Sequence, residues 1–158
     1  KLSEYSAHLV PEGGYRMIPE LYRDGILVVG DAAGFVINLG FMVRGMDIAI
    51  ESGRLAAETI IKAKEKGDFS KMALSAYESA LKNSFVMKDL KLYQKAPEFM
   101  ENRRMFETYP ELIDQIMKSM FLVDGKPAVA MRKKVVPHVK KVGLMKLGKD
   151  GIKAMQSL

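Results

Sequence analysis

The sequence predicts an α+β chain in which short strands at the start are followed by a mainly α-helical carboxy-terminal region. Residues 26–29 form an uninterrupted apolar run, which is typical of a buried parallel strand. From Met46 onward, apolar residues recur every three or four positions, as they do on one face of a helix. Glycine and proline clusters divide the rest into further helices, and the 48% hydrophobic content is typical of a folded protein.

The predicted strands lie within the first 30 residues. Residues 5–10 alternate between apolar and polar side chains, which predicts a short strand ending at the Pro/Gly turn of residues 11–14. A second turn, at residues 23–25, precedes the apolar run of residues 26–29. We expect that run to be buried in a parallel sheet.

A long helix is predicted to begin near Met46 and to end at Gly67, a residue suited to terminate a helix. Its apolar stripe is rich in small residues, so we expect the helix to pack very close to a neighbour. The stripe consists of Met46, Ala49, Ile50, Gly53, Ala56, Ala57, Ile60 and Ile61.

Further helices are predicted to follow this one. Their ranges are residues 71–92, 98–106 and 111–121. The apolar positions of the first are Leu74, Tyr77, Leu81 and Phe85. Pro97 and Pro110 suit the starts of the other two, because proline is favoured in the first turn of a helix. A turn at residues 124–127 separates these helices from a basic tail.

The composition restricts the chemistry that this chain can perform. It has no cysteine, which excludes disulfides, thiolate metal sites and a cysteine nucleophile. Its two histidines, His8 and His138, are far apart in the sequence, and we expect both to have structural or surface roles. No catalytic triad or pair of acids is recognisable, so no catalytic residue is predicted. Any redox chemistry therefore requires a bound organic cofactor.

The positive charge is concentrated at the end of the chain. Residues 126–158 contain nine lysines or arginines and one acid, whereas the whole chain carries +6. Either this tail is a solvated helical face, or it attracts an anionic lipid or an acidic partner. The longest apolar stretch, residues 32–43, is shorter than the ~20 residues of a membrane span. The chain starts with Lys1 and shows no targeting pattern, so we expect it to begin inside a longer protein.

One arrangement in the first 66 residues suits a dinucleotide. Gly30 and Asp31 follow the predicted strand, and a glycine-containing loop leads to Gly45 at the start of the long helix. Glycine lets the backbone approach a ligand, and an acid at a strand end accepts hydrogen bonds from sugar or ribityl hydroxyls. The helix start offers N–H groups and a positive dipole end. An ordinary strand–turn–helix, with Asp31 as a cap, is the alternative.

Longer motifs carry a family resemblance. Residues 25–34, GILVVGDAAG, resemble the second FAD motif of the glutathione-reductase-like flavoproteins. Residues 38–50, NLGFMVRGMDIAI, resemble the FixC family, the flavoproteins of the electron transfer flavoprotein–quinone oxidoreductase group. The resemblance continues through ENRR at 101–104 and HVKKVGLM at 138–145, and so covers nearly the whole chain.

The resemblance implies a glutathione-reductase-like FAD-binding α/β fold, of which residues 1–66 supply a carboxy-terminal segment and residues 67–158 a helical region. It implies that Gly30 and Asp31 contact the ribityl and phosphate groups of FAD. It also implies that the loop formed by Val43, Arg44 and Gly45 faces the isoalloxazine ring. Arg44 either neutralises the reduced flavin or pairs with Asp47 or another acid.

The amino-terminal GxGxxG motif of such proteins has no counterpart in this chain. Gly13 and Gly14 are followed by Tyr15, Arg16, Met17 and Ile18, and belong to a turn. We therefore expect the isolated chain not to retain FAD and to be inactive alone.

The resemblance further implies a function for the intact protein. FAD would accept electrons from an electron transfer flavoprotein and pass them to quinone or a ferredoxin-like iron–sulfur protein. Such transfer requires no protein acid or base. The expected location is the cytoplasm, with peripheral contact at the inner face of the membrane, and nucleic acid is not an expected partner.

Two alternatives are open, one a related flavoenzyme and one of another class. A geranylgeranyl (isoprenoid) reductase shares the flavin architecture, but residues 38–50 fit the FixC family better. A non-enzymatic helical module could use the basic tail for docking. That hypothesis leaves the run at 26–29 and the loop from Gly30 to Gly45 without a purpose.

Overall fold

The computed structural model describes residues 3–7 and 9–158. The chain forms two compact units, Lys1–Pro97 and Glu98–Leu158, called here the first and second unit. The helices are α1 Met46–Lys66, α2 Lys71–Asn83, α3 Phe85–Leu92, α4 Ala96–Met100, α5 Thr108–Phe121, α6 Met131–Val142 and α7 Leu144–Ser157. The predicted boundary at residue 66 separates the segment that completes a flavin domain from the helical region, and it stays a prediction.

The first hairpin pairs β1 (Tyr22–Arg23) with β2 (Ile26–Leu27) in antiparallel register. The strand predicted over 26–29 is wrong in extent, since β2 has two residues and Ile26 is 55% exposed. The tight turn, where Gly25 has a φ of 71°, returns the chain directly beside β1 and so makes this pairing antiparallel. The predicted parallel neighbour stays a prediction.

The start of the chain contains no strand in its described part, residues 3–7 and 9–14. The predicted strand at 5–10 is therefore wrong, because no described segment pairs with it and an extended segment needs such a partner. His8 lies outside the described residues. A second hairpin, β3 (Ile37–Asn38) with β4 (Val43–Arg44), is also antiparallel.

Helix α1 begins and ends where the sequence predicts, and Gly67 closes it in the left-handed conformation. Within this chain, however, the predicted stripe is not the packed face. Its members are mostly open, with Met46 84%, Ile50 74% and Ile61 57% exposed. A neighbouring face, which shares Ala56 with the stripe, packs into the first unit; its residues are Ile48, Ser52, Leu55, Ala56, Thr59 and Ala63.

The error has a physical cause. The buried face of α1 includes two hydroxyl side chains, which a hydropathy pattern assigns to solvent. Each hydroxyl bonds to its own helix: Ser52 Oγ donates to Ala49 O at 2.8 Å, and Thr59 Oγ1 to Leu55 O at 2.9 Å. A satisfied hydroxyl can be buried at little cost.

The helix predicted over residues 71–92 is interrupted at Ser84. This residue ends α2 in an extended conformation, and its hydroxyl accepts the Val86 N–H at 3.2 Å as the N-cap of α3. Beyond the break the phase changes, so Phe85 is 40% exposed while Val86 is buried. Leu74, Tyr77 and Leu81 are buried as predicted. Tyr77 and Leu81 belong to a core with Phe35, Ile48 and Leu90.

Helix α4 begins at the end of the first unit, and α5, α6 and α7 belong to the second. The helix predicted over 98–106 is wrong in extent: α4 ends at Met100, and a 3-10 turn, Arg103–Met105, follows. Asn102 causes the break, because its side chain accepts the Arg104 N–H at 3.2 Å and caps this turn. Helix α5 ends at Phe121 as predicted. The predicted turn at 124–127 separates α5 from α6, and Gly125 has a φ of 72°.

Candidate functional site

Gly30 opens a 3-10 turn, Gly30–Ala33, directly against α1. Its φ is 56°, a conformation that glycine adopts without strain. Its N–H donates to Ser52 Oγ at 3.0 Å. A Cβ atom at this position would lie 3.3 Å from the Cβ of Ala49. Both the backbone conformation and the close packing on α1 therefore favour glycine.

Tyr77 holds the segment just before this turn. Its hydroxyl donates to Val28 O at 3.1 Å, and its side chain is fully buried. Burial raises the pKa of Tyr77 to about 12. Sequence reasoning assigned Tyr77 to the core only and gave Ser52 no role. Tyr77 lies 49 positions from Val28, and Ser52 lies 22 positions from Gly30. A local sequence pattern does not reveal hydrogen bonds over such spacings.

Asp31 lies half-buried in the turn beside the start of α1. The turn is closed by two backbone bonds, from Gly34 N–H to Asp31 O at 2.9 Å and from Phe35 N–H to Gly30 O at 3.2 Å. A Cβ atom on Gly45 would lie 3.8 Å from Asp31 Oδ1. The structure thus brings together Gly30, Asp31 and Gly45, three of the five predicted site residues.

Gly45 is the N-cap residue of α1 and has no side chain of its own with which to cap the helix. The first N–H groups of an α-helix have no partner within the helix, and they carry the positive end of its dipole. The Asp31 carboxylate and the start of α1 therefore place an acceptor and a set of donors side by side.

Val43 and Arg44 lie on β4 in the loop before α1. The loop turns at Gly40, whose φ is 83° and whose N–H donates to Asn38 Oδ1 at 2.8 Å. Val43 is 61% exposed. The hairpin thus leads through Val43 and Arg44 directly into the N-cap of α1.

Arg44 pairs with two acids. Its Nε donates to Asp47 Oδ2 at 2.9 Å, and its Nη1 donates to Asp89 Oδ2 at 2.8 Å. The hydrogen bonds to Asp47 and then to Asp89 raise the pKa of Arg44. Of the two interpretations of Arg44, the structure shows the ion pair. The guanidinium ties the start of α1 to α3.

The glycine pair at 13–14 precedes a 3-10 turn, Tyr15–Met17. A Cβ atom on Gly14 would lie 2.9 Å from Pro97 Cγ. Gly14 therefore packs against another part of the first unit.

Two kinds of feature are absent from the described residues. No group of three or more histidine, aspartate or glutamate side chains there could hold a metal ion. No helix in the same part of the chain has both the length and the apolar character needed to cross a bilayer.

Comparison with known proteins places the chain in context. Residues 96–158 match the ETF-QO/FixC family C-terminal domain. The whole chain is 52% identical to the probable electron transfer flavoprotein-quinone oxidoreductase YdiS of Escherichia coli K12. It is 50% identical to the protein FixC of Salmonella typhi and 49% identical to FixC of Escherichia coli K12, again over all 158 residues. The chain spans 37% of the length of each of these relatives.

Proposed function

Because this chain belongs to the ETF-QO/FixC family as a carboxy-terminal portion, we propose that it is part of an FAD-dependent oxidoreductase. The whole protein would transfer electrons from an electron transfer flavoprotein to quinone or to a ferredoxin-like iron–sulfur protein. The single observation that carries the proposal is identity near 50% over the whole chain. The family match favours this function over an isoprenoid reductase and over a non-enzymatic docking module.

The turn at Gly30–Ala33 would hold the ribityl and phosphate end of the FAD. Gly30 lets the backbone approach this group, and the Asp31 carboxylate can accept hydrogen bonds from ribityl hydroxyls. Gly45 and the N–H groups at the start of α1 suit a partial negative charge on the ligand. When bound, FAD supplies the electron-transfer chemistry.

Val43 and Arg44 would form the loop that faces the isoalloxazine ring. Since Arg44 is held by Asp47 and Asp89, we assign it to positioning this loop. Its charge is compensated by these two carboxylates, which limits its effect on a reduced flavin.

The open face of α1 supports a larger fold around this segment. Met46, Ile50 and Ile61 form an exposed apolar stripe with the small residues Gly53 and Ala57. A helix that is apolar on two faces is usually buried on both. We propose that the remainder of a glutathione-reductase-like FAD-binding domain covers this stripe, with the protein located in the cytoplasm.

Flavin binding tests this proposal. In the full-length protein, Asp31→Ala is expected to weaken FAD binding at least tenfold. A charge-assisted hydrogen bond contributes about 1.5 to 3 kcal/mol, and ~1.4 kcal/mol corresponds to tenfold. Fluorescence titration of the apoprotein with FAD measures the change. The 158-residue chain alone should purify without flavin absorbance.

The matched control is Glu65→Ala, which removes one exposed acid near the end of α1. It should leave FAD affinity unchanged within about twofold, which is ~0.4 kcal/mol. Equal affinity in the Asp31 and Glu65 variants would contradict the assignment of Asp31. Stoichiometric yellow FAD on the 158-residue chain would show that the predicted missing contacts are unnecessary.

The basic tail would provide a docking surface for an acidic partner or the anionic inner face of the membrane. Lys146, Lys149 and Lys153 are exposed and share one side of α7. Beside them, Leu144, Ile152 and Met155 are 65%, 60% and 87% exposed. An exposed apolar strip flanked by lysines is typical of a helix that binds a charged surface.

Charge reversal of these three lysines is expected to weaken binding of the full-length protein to acidic vesicles or to its electron-transfer partner. Each lysine contributes about 1 kcal/mol near an anionic surface. The effect should fade as the Debye length falls from ~10 Å at 0.1 M salt to ~3 Å at 1 M. Sedimentation with vesicles and surface plasmon resonance with the partner measure it.

The control reverses three exposed lysines of α1, Lys62, Lys64 and Lys66. This variant has the same net charge as the tail variant. Equal losses in both variants would show a general charge effect, and salt-independent binding in both would leave the tail as a solvated face.

A further inference from the structure

A pocket of about 200 Å³ lies within the second unit, where α5, α6 and the start of α7 meet. Its charged and polar lining includes Arg104, Glu111, Gln115, His138, Lys141 and Lys146. None of these residues belongs to the proposed flavin site, which lies in the first unit. The pocket therefore needs a separate explanation.

Positive charge predominates in this lining. Lys141 and Lys146 are exposed, and neither forms an ion pair with any residue that the structure describes. Arg104 adds a guanidinium, although its Nε and Nη2 donate to Asp150 at 2.7 and 2.9 Å. Glu111 contributes the carboxylate in the lining. Two lysines thus remain without local compensation.

The carboxylate of Glu111 is engaged in a chain of hydrogen bonds. Gln115 Nε2 donates to Glu111 Oε1 at 2.7 Å, and Gln115 Oε1 lies 3.2 Å from His138 Nδ1. An amide nitrogen can only donate, so the bond to Glu111 orients the Gln115 side chain. The amide oxygen then accepts from His138, which must carry a proton on Nδ1. The Nε2 atom of His138 is left as the ring nitrogen for a ligand.

We propose that this pocket binds a phosphate group. Phosphate oxygens accept hydrogen bonds from lysine ammonium groups, which Lys141 and Lys146 can supply. A P–OH group of monohydrogen phosphate can donate to His138 Nε2, or a protonated imidazole can donate from it to a phosphate oxygen. The phosphate is either the headgroup of an anionic lipid or a free phosphate compound.

The direct test is a titration of the 158-residue chain with inorganic phosphate, followed by NMR of the His138 ring. Sodium chloride of equal ionic strength is the reference, because screening alone also moves resonances. We expect saturable shifts of His138. The double variant Lys141→Gln, Lys146→Gln should raise the dissociation constant at least tenfold.

A matched control removes two charges outside both the pocket and the basic tail, in Lys62→Gln, Lys64→Gln. Both pairs are exposed, so both variants should retain the circular dichroism and melting temperature of the parent. The control should change the dissociation constant less than about twofold. Absence of saturable His138 shifts, or equal losses in both double variants, would overturn the proposal.

Vesicles distinguish the two sources of phosphate. Binding is compared between phosphatidic acid, a phosphomonoester, and phosphatidylcholine, a zwitterionic phosphodiester without net charge, as the reference. If the source is lipid, the pocket variant loses at least tenfold on phosphatidic acid and the control loses clearly less. If the pocket variant weakens the binding of inorganic phosphate but not of vesicles, a free phosphate compound is the ligand. Equal loss of vesicle binding in both variants, without an effect on inorganic phosphate, contradicts the pocket.

Discussion

Replacing Leu81 by alanine is expected to lower the free energy of unfolding by about 2 to 5 kcal/mol, the range for truncating a buried leucine. Leu81 is fully buried and lies in the same core as Phe35, Ile48 and Tyr77. The loss combines the transfer of the removed carbons with the cavity left behind, since the surrounding helices relax only in part. Urea unfolding followed by circular dichroism measures the change.

The control for this variant lies on the same helix. Met72 is 85% exposed, so Met72→Ala removes a side chain from α2 without opening a cavity. It should change the free energy of unfolding by less than about 0.5 kcal/mol. Similar losses in both variants would mean that α2 is not packed through Leu81 as the structure shows.

Replacing Arg104 by alanine is expected to destabilise the second unit clearly more than replacing an exposed arginine does. Arg104 binds the carboxylate of Asp150, whose side chain is 7% exposed and also accepts a hydrogen bond from Tyr109. Without Arg104 the Asp150 carboxylate loses its cation and two donated hydrogen bonds, which leaves its charge poorly compensated. Solvent limits the loss, because Arg104 itself is 43% exposed.

The neighbouring Arg103 provides the control. It is 85% exposed and pairs with Glu107 on the surface, at 2.9 Å. Such a pair contributes about 0.3 to 0.5 kcal/mol, so Arg103→Ala should have little effect in thermal unfolding. An Arg104→Ala variant as stable as Arg103→Ala would show that the Asp150 cluster does not hold the second unit together.

The same cluster gives the second unit a predicted sensitivity to acid. Hydrogen bonds from Arg104 and then Tyr109 hold the pKa of Asp150 well below its usual range. This lowered pKa stabilises the fold above the unfolded-state pKa, about 3.9 for aspartate. The contribution is lost as pH falls below that value. As pH falls below about 4, the free energy of unfolding should therefore decrease less in Asp150→Asn than in the parent.

Parts of the fold were predictable because their signals are local. The end of α1 at Gly67 and the turn around Gly125 depend on residues that adopt a positive φ, and both are confirmed. The buried face of α1 and the break at Ser84 were not predictable. A hydropathy pattern does not show that Ser52 can be buried, and serine in a helical run does not reveal that it caps the next helix.

The candidate site was likewise predictable only in part. The sequence placed Gly30, Asp31 and Gly45 close along the chain, and the structure brings them together beside α1. The bond from Gly30 N–H to Ser52 and the ion pair of Arg44 with Asp89 join residues 22 and 45 positions apart. Only the tertiary fold reveals such partners, whereas the flavin contacts themselves stay a prediction.

The junction at Ser84 limits how the length of this chain can change. One residue ends α2 and caps α3, so no loop lies between the two helices. Each residue of an α-helix advances the side chains by about 100°. An insertion at this junction would turn the buried side of α3, with Val86 and Leu90, away from the core. Insertions and deletions should therefore be excluded here, and the exposed segment at 122–130 is where the chain can tolerate them.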